Sequence, residues 1–98
     1  MSVFITLRVP ADADKLNKGL ESRWPAIMER AKQHGCLHHR FLANDNGEIL
    51  VLDEWETEDG FQRFFAASDD IREMMGEIGV TSEPELTIWR PLDTPDQL

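Results

Sequence analysis

From Val3 to Val9 successive side chains fall on alternate sides, Val3, Ile5, Leu7 and Val9 on one and Phe4, Thr6 and Arg8 on the other. That is the period of a β-strand, and Pro10 closes it. The period then changes. Leu16, Leu20, Trp24, Ile27 and Ala31 recur at helical spacing as far as Gly35, with Asp12 placed to cap the start. Pro25 has no N–H for the helix ladder, which predicts a kink near Trp24 or a restart there with Ser22 as cap. Residues 36–43 and 48–56 return to the strand period around Asn44-Asp45-Asn46-Gly47. Asn-Gly is a strong hairpin signal. A two-residue loop there sets Arg40 opposite Asp53, His39 opposite Glu54 and His38 opposite Trp55, and a three-residue loop shifts that register by one. Thr57 caps a second helical stripe of Phe61, Phe64, Phe65, Ile71, Met75 and Ile78, interrupted at Ser68-Asp69-Asp70 and ended by Gly79. Residues 85–90 alternate once more. The domain is expected to occupy residues 1–92, with 93–98 a loose tail.

The order of elements is β-α-β-β-α-β, which predicts a ferredoxin-like α+β fold with an antiparallel sheet and helices on one face. The second and third strands read as apolar on both faces, Leu37, Phe41, Leu50 and Leu52 on one and Cys36, Leu42, Ile49 and Val51 on the other. Two helices cannot cover both faces. The free face is therefore expected to meet a second copy, making a homodimer through sheet faces.

Composition narrows the function classes. Ninety-eight residues hold one core. No apolar run approaches the roughly 20 residues of a membrane span, and no basic, apolar leader opens the chain, so no membrane partner and a cytoplasmic address are expected. The single cysteine, Cys36, has no internal partner. The net charge of −9 is uneven, with three Lys/Arg against fourteen Asp/Glu in residues 46–98. Such a surface repels phosphate backbones, and no nucleic-acid partner is expected.

Candidate chemistry centres on the consecutive His38, His39 and Arg40. Alternation lets only His38 share a face with Arg40, while His39 is expected to face Glu54. An imidazole oriented by a carboxylate is a candidate general base, and the same pair is also a reasonable structural cross-strand contact. His38, Arg40, Asp53 and Trp55 together would line a pocket for a planar, oxygenated ligand, the bland alternative being a salt-bridged strand pair beside a core tryptophan. Trp24 and Trp89 are further candidates for a cavity wall or for plain core. His34, His38 and His39 match no standard metal-ligand spacing, so no metal is expected. Phosphate-loop, dinucleotide and nucleophile-elbow motifs are absent.

Three segments carry a family resemblance: Leu37-His38-His39-Arg40-Phe41, Val51 to Thr57 with its Glu54-Trp55-Glu56-Thr57 junction, and Phe61-Gln62-Arg63-Phe64-Phe65. Together they resemble the antibiotic-biosynthesis-monooxygenase-like family, small actinobacterial members especially, over nearly the whole chain. The resemblance implies a dimeric α+β barrel. Together with the residues above, the leading expectation is a small, cofactor-independent oxygenase acting on an aromatic or polyketide-like metabolite, with His38 or His39 as base, Arg40 steadying enolate charge, and Asp53, Glu54, Trp55, Phe64 and Phe65 around the ligand. The alternative is a non-catalytic dimeric ligand-binding or accessory protein. The chain departs from the haem-degrading branch, which has an Asn on the first strand and a Trp and a His on the second helix. Here that strand has no Asn, Phe64 stands at the Trp-like position, and Met74 or Met75 at the His-like one. Haem degradation is not expected. Tyr is absent, so no phenol of the protein serves as acid or donor.

Overall fold

A computed structural model describes residues 2–98. Its elements are β1 (Val3–Pro10), α1 (Ala13–Leu20), α2 (Trp24–Gln33), β2 (Cys36–Ala43), β3 (Glu48–Trp55), α3 (Glu58–Ala66), α4 (Asp69–Glu77) and β4 (Glu85–Trp89). The strands form one antiparallel sheet in the order β2-β3-β1-β4. This is the ferredoxin-like α+β fold.

Each of the two expected helices is a pair. Pro25 occupies the first turn of α2, where its missing N–H is harmless, and the chain turns at 21–23 instead of running through. Ser22 is not the cap it was expected to be. Arg23 holds that position without a side-chain cap bond. Its guanidinium is spent elsewhere, donating to the Gly19 carbonyl at the end of α1 and to Glu77 on α4. Asp12 and Thr57 do cap, accepting from Asp14 and Lys15 and from Gly60 respectively. At the α3–α4 break Ser68 is fully buried and donates its hydroxyl to the Phe64 carbonyl, while Arg30 from α2 reaches across to Ser68 and Asp70.

The hairpin register differs from the two-residue expectation. His38 lies opposite Glu54, His39 opposite Asp53, and Arg40 opposite Leu52. Gly47 alone in this loop has positive φ, at 76°. A type I′ turn needs two such residues, so the chain takes the three-residue loop with glycine at the left-handed position. The Asn44 side chain closes it, accepting from Asn46 and Glu48. A second irregularity comes at the other end of β2, where Cys36 faces Trp55 and Leu37 is an extra, bulged residue.

One residue of slip turns every side chain over. The helix-facing side of the sheet is Val3, Ile5, Leu7 and Val9 from β1 with Ile49, Val51, Asp53 and Trp55 from β3, all buried. Phe41 joins this side and Leu50 and Leu52 the other, which corrects the expected grouping of the three. The core has two centres. Val3, Ile5 and Trp55 pack under Ile27, Ala31, Phe61 and Phe64, while Val9 and Ile49 pack under Leu16, Met74 and Ile78.

Candidate functional site

Between the two core centres the helices do not fully close on the sheet. A cavity of about 90 Å³ remains beneath α2, α3 and α4, lined by apolar side chains such as Ile27, Met28, Phe64 and Met75 and by Cys36, His39 and Asp53. Beside it an open groove of about 740 Å³ runs between α1, α2 and the edge strand β2, bounded by Asn17, Glu21, Pro25 and Arg40. The two spaces share Leu20, Trp24, Met28, His39 and Phe41 as a common wall.

That wall is aromatic. The His39 ring lies 4.7 Å from Trp24 and 4.7 Å from Phe41, edge-on to the latter. Trp24 reaches this place because the break before Pro25 sets it at the very start of α2. Phe41 and His39 reach it because the three-residue loop turns them toward the helices.

Asp53 is buried, 6% exposed, and would be costly there without partners. It has two. Oδ1 lies 2.6 Å from His39 Nδ1, and Oδ2 accepts from the Trp55 indole at 3.2 Å. Trp55 is itself completely buried and boxed by Phe61 and Phe64, so the carboxylate is held from beneath. A carboxylate at that distance draws the ring proton to Nδ1 and leaves Nε2 as the basic atom. His39 Nε2 is buried and has no hydrogen-bond partner among the described residues.

The residues singled out in the sequence therefore divide between two faces. His39, Asp53, Trp55, Phe64 and Phe65 come together around the cavity. His38, Arg40 and Glu54 stand on the opposite side of the sheet or at its edge. His38 is 79% exposed and pairs with Glu54 at 2.8 Å. The pocket drawn from His38, Arg40, Asp53 and Trp55 does not form as a unit, because the first two project away from the second two. Glu54 is held below the usual carboxylate range by the Ser2 hydroxyl and then by His38. Arg40 borders the groove, and it is the arginine with no carboxylate partner among the described residues. His34 is drawn off elsewhere, with Nδ1 against the Arg30 carbonyl and the ring edge-on to Phe64. Burial, with Asp53 adding to it, pushes the Cys36 thiol up to about 11, which leaves it a poor nucleophile.

Sequence reasoning did not bring out Phe41 and Met28 as site residues. The available signal was Gly47 following two residues that tolerate an ordinary turn, which allows the longer loop and so the inward Phe41.

The site is thus a half-open space between sheet and helices of an α+β sandwich, with an aromatic-walled histidine inside. The chain belongs to the antibiotic biosynthesis monooxygenase family, whose model matches residues 1–76. Solved structures share the fold at low identity. A monooxygenase of Streptomyces coelicolor in complex with nanaomycin D has a TM-score of 0.69 at 18% identity, over 95% of this chain and 89% of that one. A cofactor-independent oxygenase from Streptomyces nogalater has a TM-score of 0.67 at 14% identity, over 98% of each chain. A dimeric ferredoxin-like protein from an uncultured marine organism has a TM-score of 0.69 at 13% identity, over 95% and 90%. No curated protein matches the chain.

Proposed function

We propose that the protein is a cofactor-independent monooxygenase for a planar, oxygenated aromatic of polyketide type, with His39 as general base. The observation that carries this reading is the Asp53–His39 pair, with Nε2 unpartnered among the described residues at the wall between cavity and groove. Family membership and the two oxygenase structures are consistent with it. The groove is of the size that takes a ligand of several rings, with Trp24 and Phe41 as flat walls.

The chemistry needs only what the site offers. Nε2 removes a proton from an acidic ring methylene, and the resulting enolate is stabilised by the Arg40 guanidinium at the groove edge. The enolate passes an electron to dioxygen and the two radicals combine, forming a C–O bond. The resulting peroxide anion takes up the proton held by His39, and the hydroperoxide so formed gives up the second methylene proton together with hydroxide as water. One oxygen atom ends in a ring carbonyl and the other in water. The four electrons come from the methylene carbon, so no external reductant is consumed.

The outer sheet face, with Phe4, Leu42, Leu50, Leu52 and Trp89, supports a homodimer through sheet faces. A dimeric structural neighbour points the same way.

The test is oxygen uptake with dithranol, a dihydroxyanthrone bearing such a methylene, above its uncatalysed rate. Wild type and His38→Ala are expected to consume oxygen, and His39→Ala to lose the enzymatic part. Equal loss in both variants, or none in either, would remove His39 as the base.

A further inference from the structure

The cavity and the groove meet at one histidine but differ in what they can hold. The cavity is about 90 Å³ against the roughly 150 Å³ of an apolar void that takes up benzene or xenon, so a fused ring system does not enter it. Nor is it suited to water. A buried water needs two to four polar partners. Of the polar groups in the lining, both Asp53 oxygens are engaged, by His39 Nδ1 and the Trp55 indole. The Cys36 thiol is turned to the His38 carbonyl. His39 Nε2 is the one buried side-chain nitrogen or oxygen of the lining without a partner among the described residues, and one partner does not hold a water.

We propose that this cavity is a dioxygen-binding compartment, separate from the groove that takes the organic substrate. A dry void lined by Ile27, Met28, Ile71 and Met75 suits a small, apolar, uncharged molecule. The shared wall of Trp24, His39 and Phe41 sets that molecule beside the base and beside whatever lies in the groove. The assignment deepens the oxygenase reading and rests on it for its purpose, but the binding itself is separable from any turnover.

Dioxygen is paramagnetic and reports its own position. Under oxygen pressure, with nitrogen as control, the methyl groups of Ile27, Met28, Ile71 and Met75 are expected to relax several times faster than exposed methyls such as those of Leu92. Xenon should shift the methyl resonances of the same four residues saturably. Ala31→Leu fills the cavity from α2 and is expected to bring the enhancement down to the surface level. Val51→Ile, one methyl larger from the sheet side, serves if the first variant does not fold, and should reduce the effect in part. Enhancement that simply follows exposure, or that survives filling of the cavity, overturns the assignment. Neither outcome depends on dithranol. If dithranol is turned over, Ala31→Leu should raise the KM for oxygen and leave that for dithranol nearly unchanged, and the reverse pattern places oxygen in the groove. If dithranol is inert, the oxygenase reading loses its support and the relaxation measurement still decides the cavity.

Discussion

Asp53 touches no substrate in the proposed reaction; it positions His39. In Asp53→Asn the amide can present N–H to Nδ1 instead of accepting from it, which returns the ring proton to Nε2, the atom that must be free. The expected result is a kcat lower by about 100-fold or more with KM little changed, since general-base help is of that order. A parallel rise in KM would mean that the pair shapes the pocket instead. Cys36 lines the same cavity, and a thiol near 11 is only about one part in a thousand ionised at pH 8. Iodoacetamide should therefore label it far more slowly than free cysteine at pH 8 and steadily faster toward pH 11. Arg30 and Asp70 pose a different question, of stability. The guanidinium forks onto both carboxylate oxygens, at 2.7 and 3.0 Å, and holds Asp70 below the usual carboxylate range. A carboxylate depressed in the folded state adds stability above its unfolded pKa and loses it as pH falls through the folded one. Asp70→Asn should cost about 1.5–3 kcal/mol at pH 7, as for hydrogen bonds to charged groups, and the gap from wild type should narrow below pH 4. Urea denaturation at the two pH values reads both.

At the scale of elements, strand and helix periods were enough to give four strands in the right order along the chain and the two interrupted helical stretches. They could not give the loop length between β2 and β3, because Asn-Asp-Asn-Gly is compatible with two turn geometries that differ by one residue. That single residue decides whether Arg40 or His39 faces Asp53. So the sequence named His39, Asp53 and Trp55 but joined them to the wrong neighbours, and the alternation that correctly put His38 with Arg40 could not say on which side of the sheet the two would stand. The Leu37 bulge was invisible for the same reason, since an extra residue leaves no mark on a short alternating pattern. Close approach is equally hard to read. Gly60 in the first turn of α3 lies against the end of α2, and a Cβ there would sit inside the van der Waals radius of the His34 carbonyl oxygen. Backbone cannot yield as a flexible side chain does. Gly60→Ala should thus destabilise by about 1–3 kcal/mol, the range for overpacking, although alanine is the better helix former. A midpoint in urea equal to or above that of wild type would show that α2 and α3 slide apart freely.

For the whole molecule, one side of the sheet is covered and the other is bare. The uncovered side carries Phe4, Leu42, Leu50 and Leu52, with Trp89 54% exposed and its indole bonded to Thr6. An apolar surface spread over all four strands is costly to leave in water, and the acidic charge concentrated after residue 45 makes indiscriminate association between copies less favourable. A partner that covers the face must therefore match it in shape, and in the proposed homodimer a second copy would set the same apolar face against it across a two-fold axis. The face also holds the exposed His38–Glu54 pair and Arg40, which would come to lie at the rim of such an interface, near the mouth of the groove. Sedimentation at micromolar concentration should then give a mass near twice the 11.3 kDa of one chain. Leu52→Lys, in the middle of the bare face, should give one chain while keeping the wild-type far-ultraviolet spectrum, because the residue is outside both core centres. If the wild type sediments as a single chain, the sheet is solvent-facing and the groove is complete within one copy. If Leu52→Lys remains a dimer, the copies meet through some other surface, and Arg40 is then free to act at the groove alone.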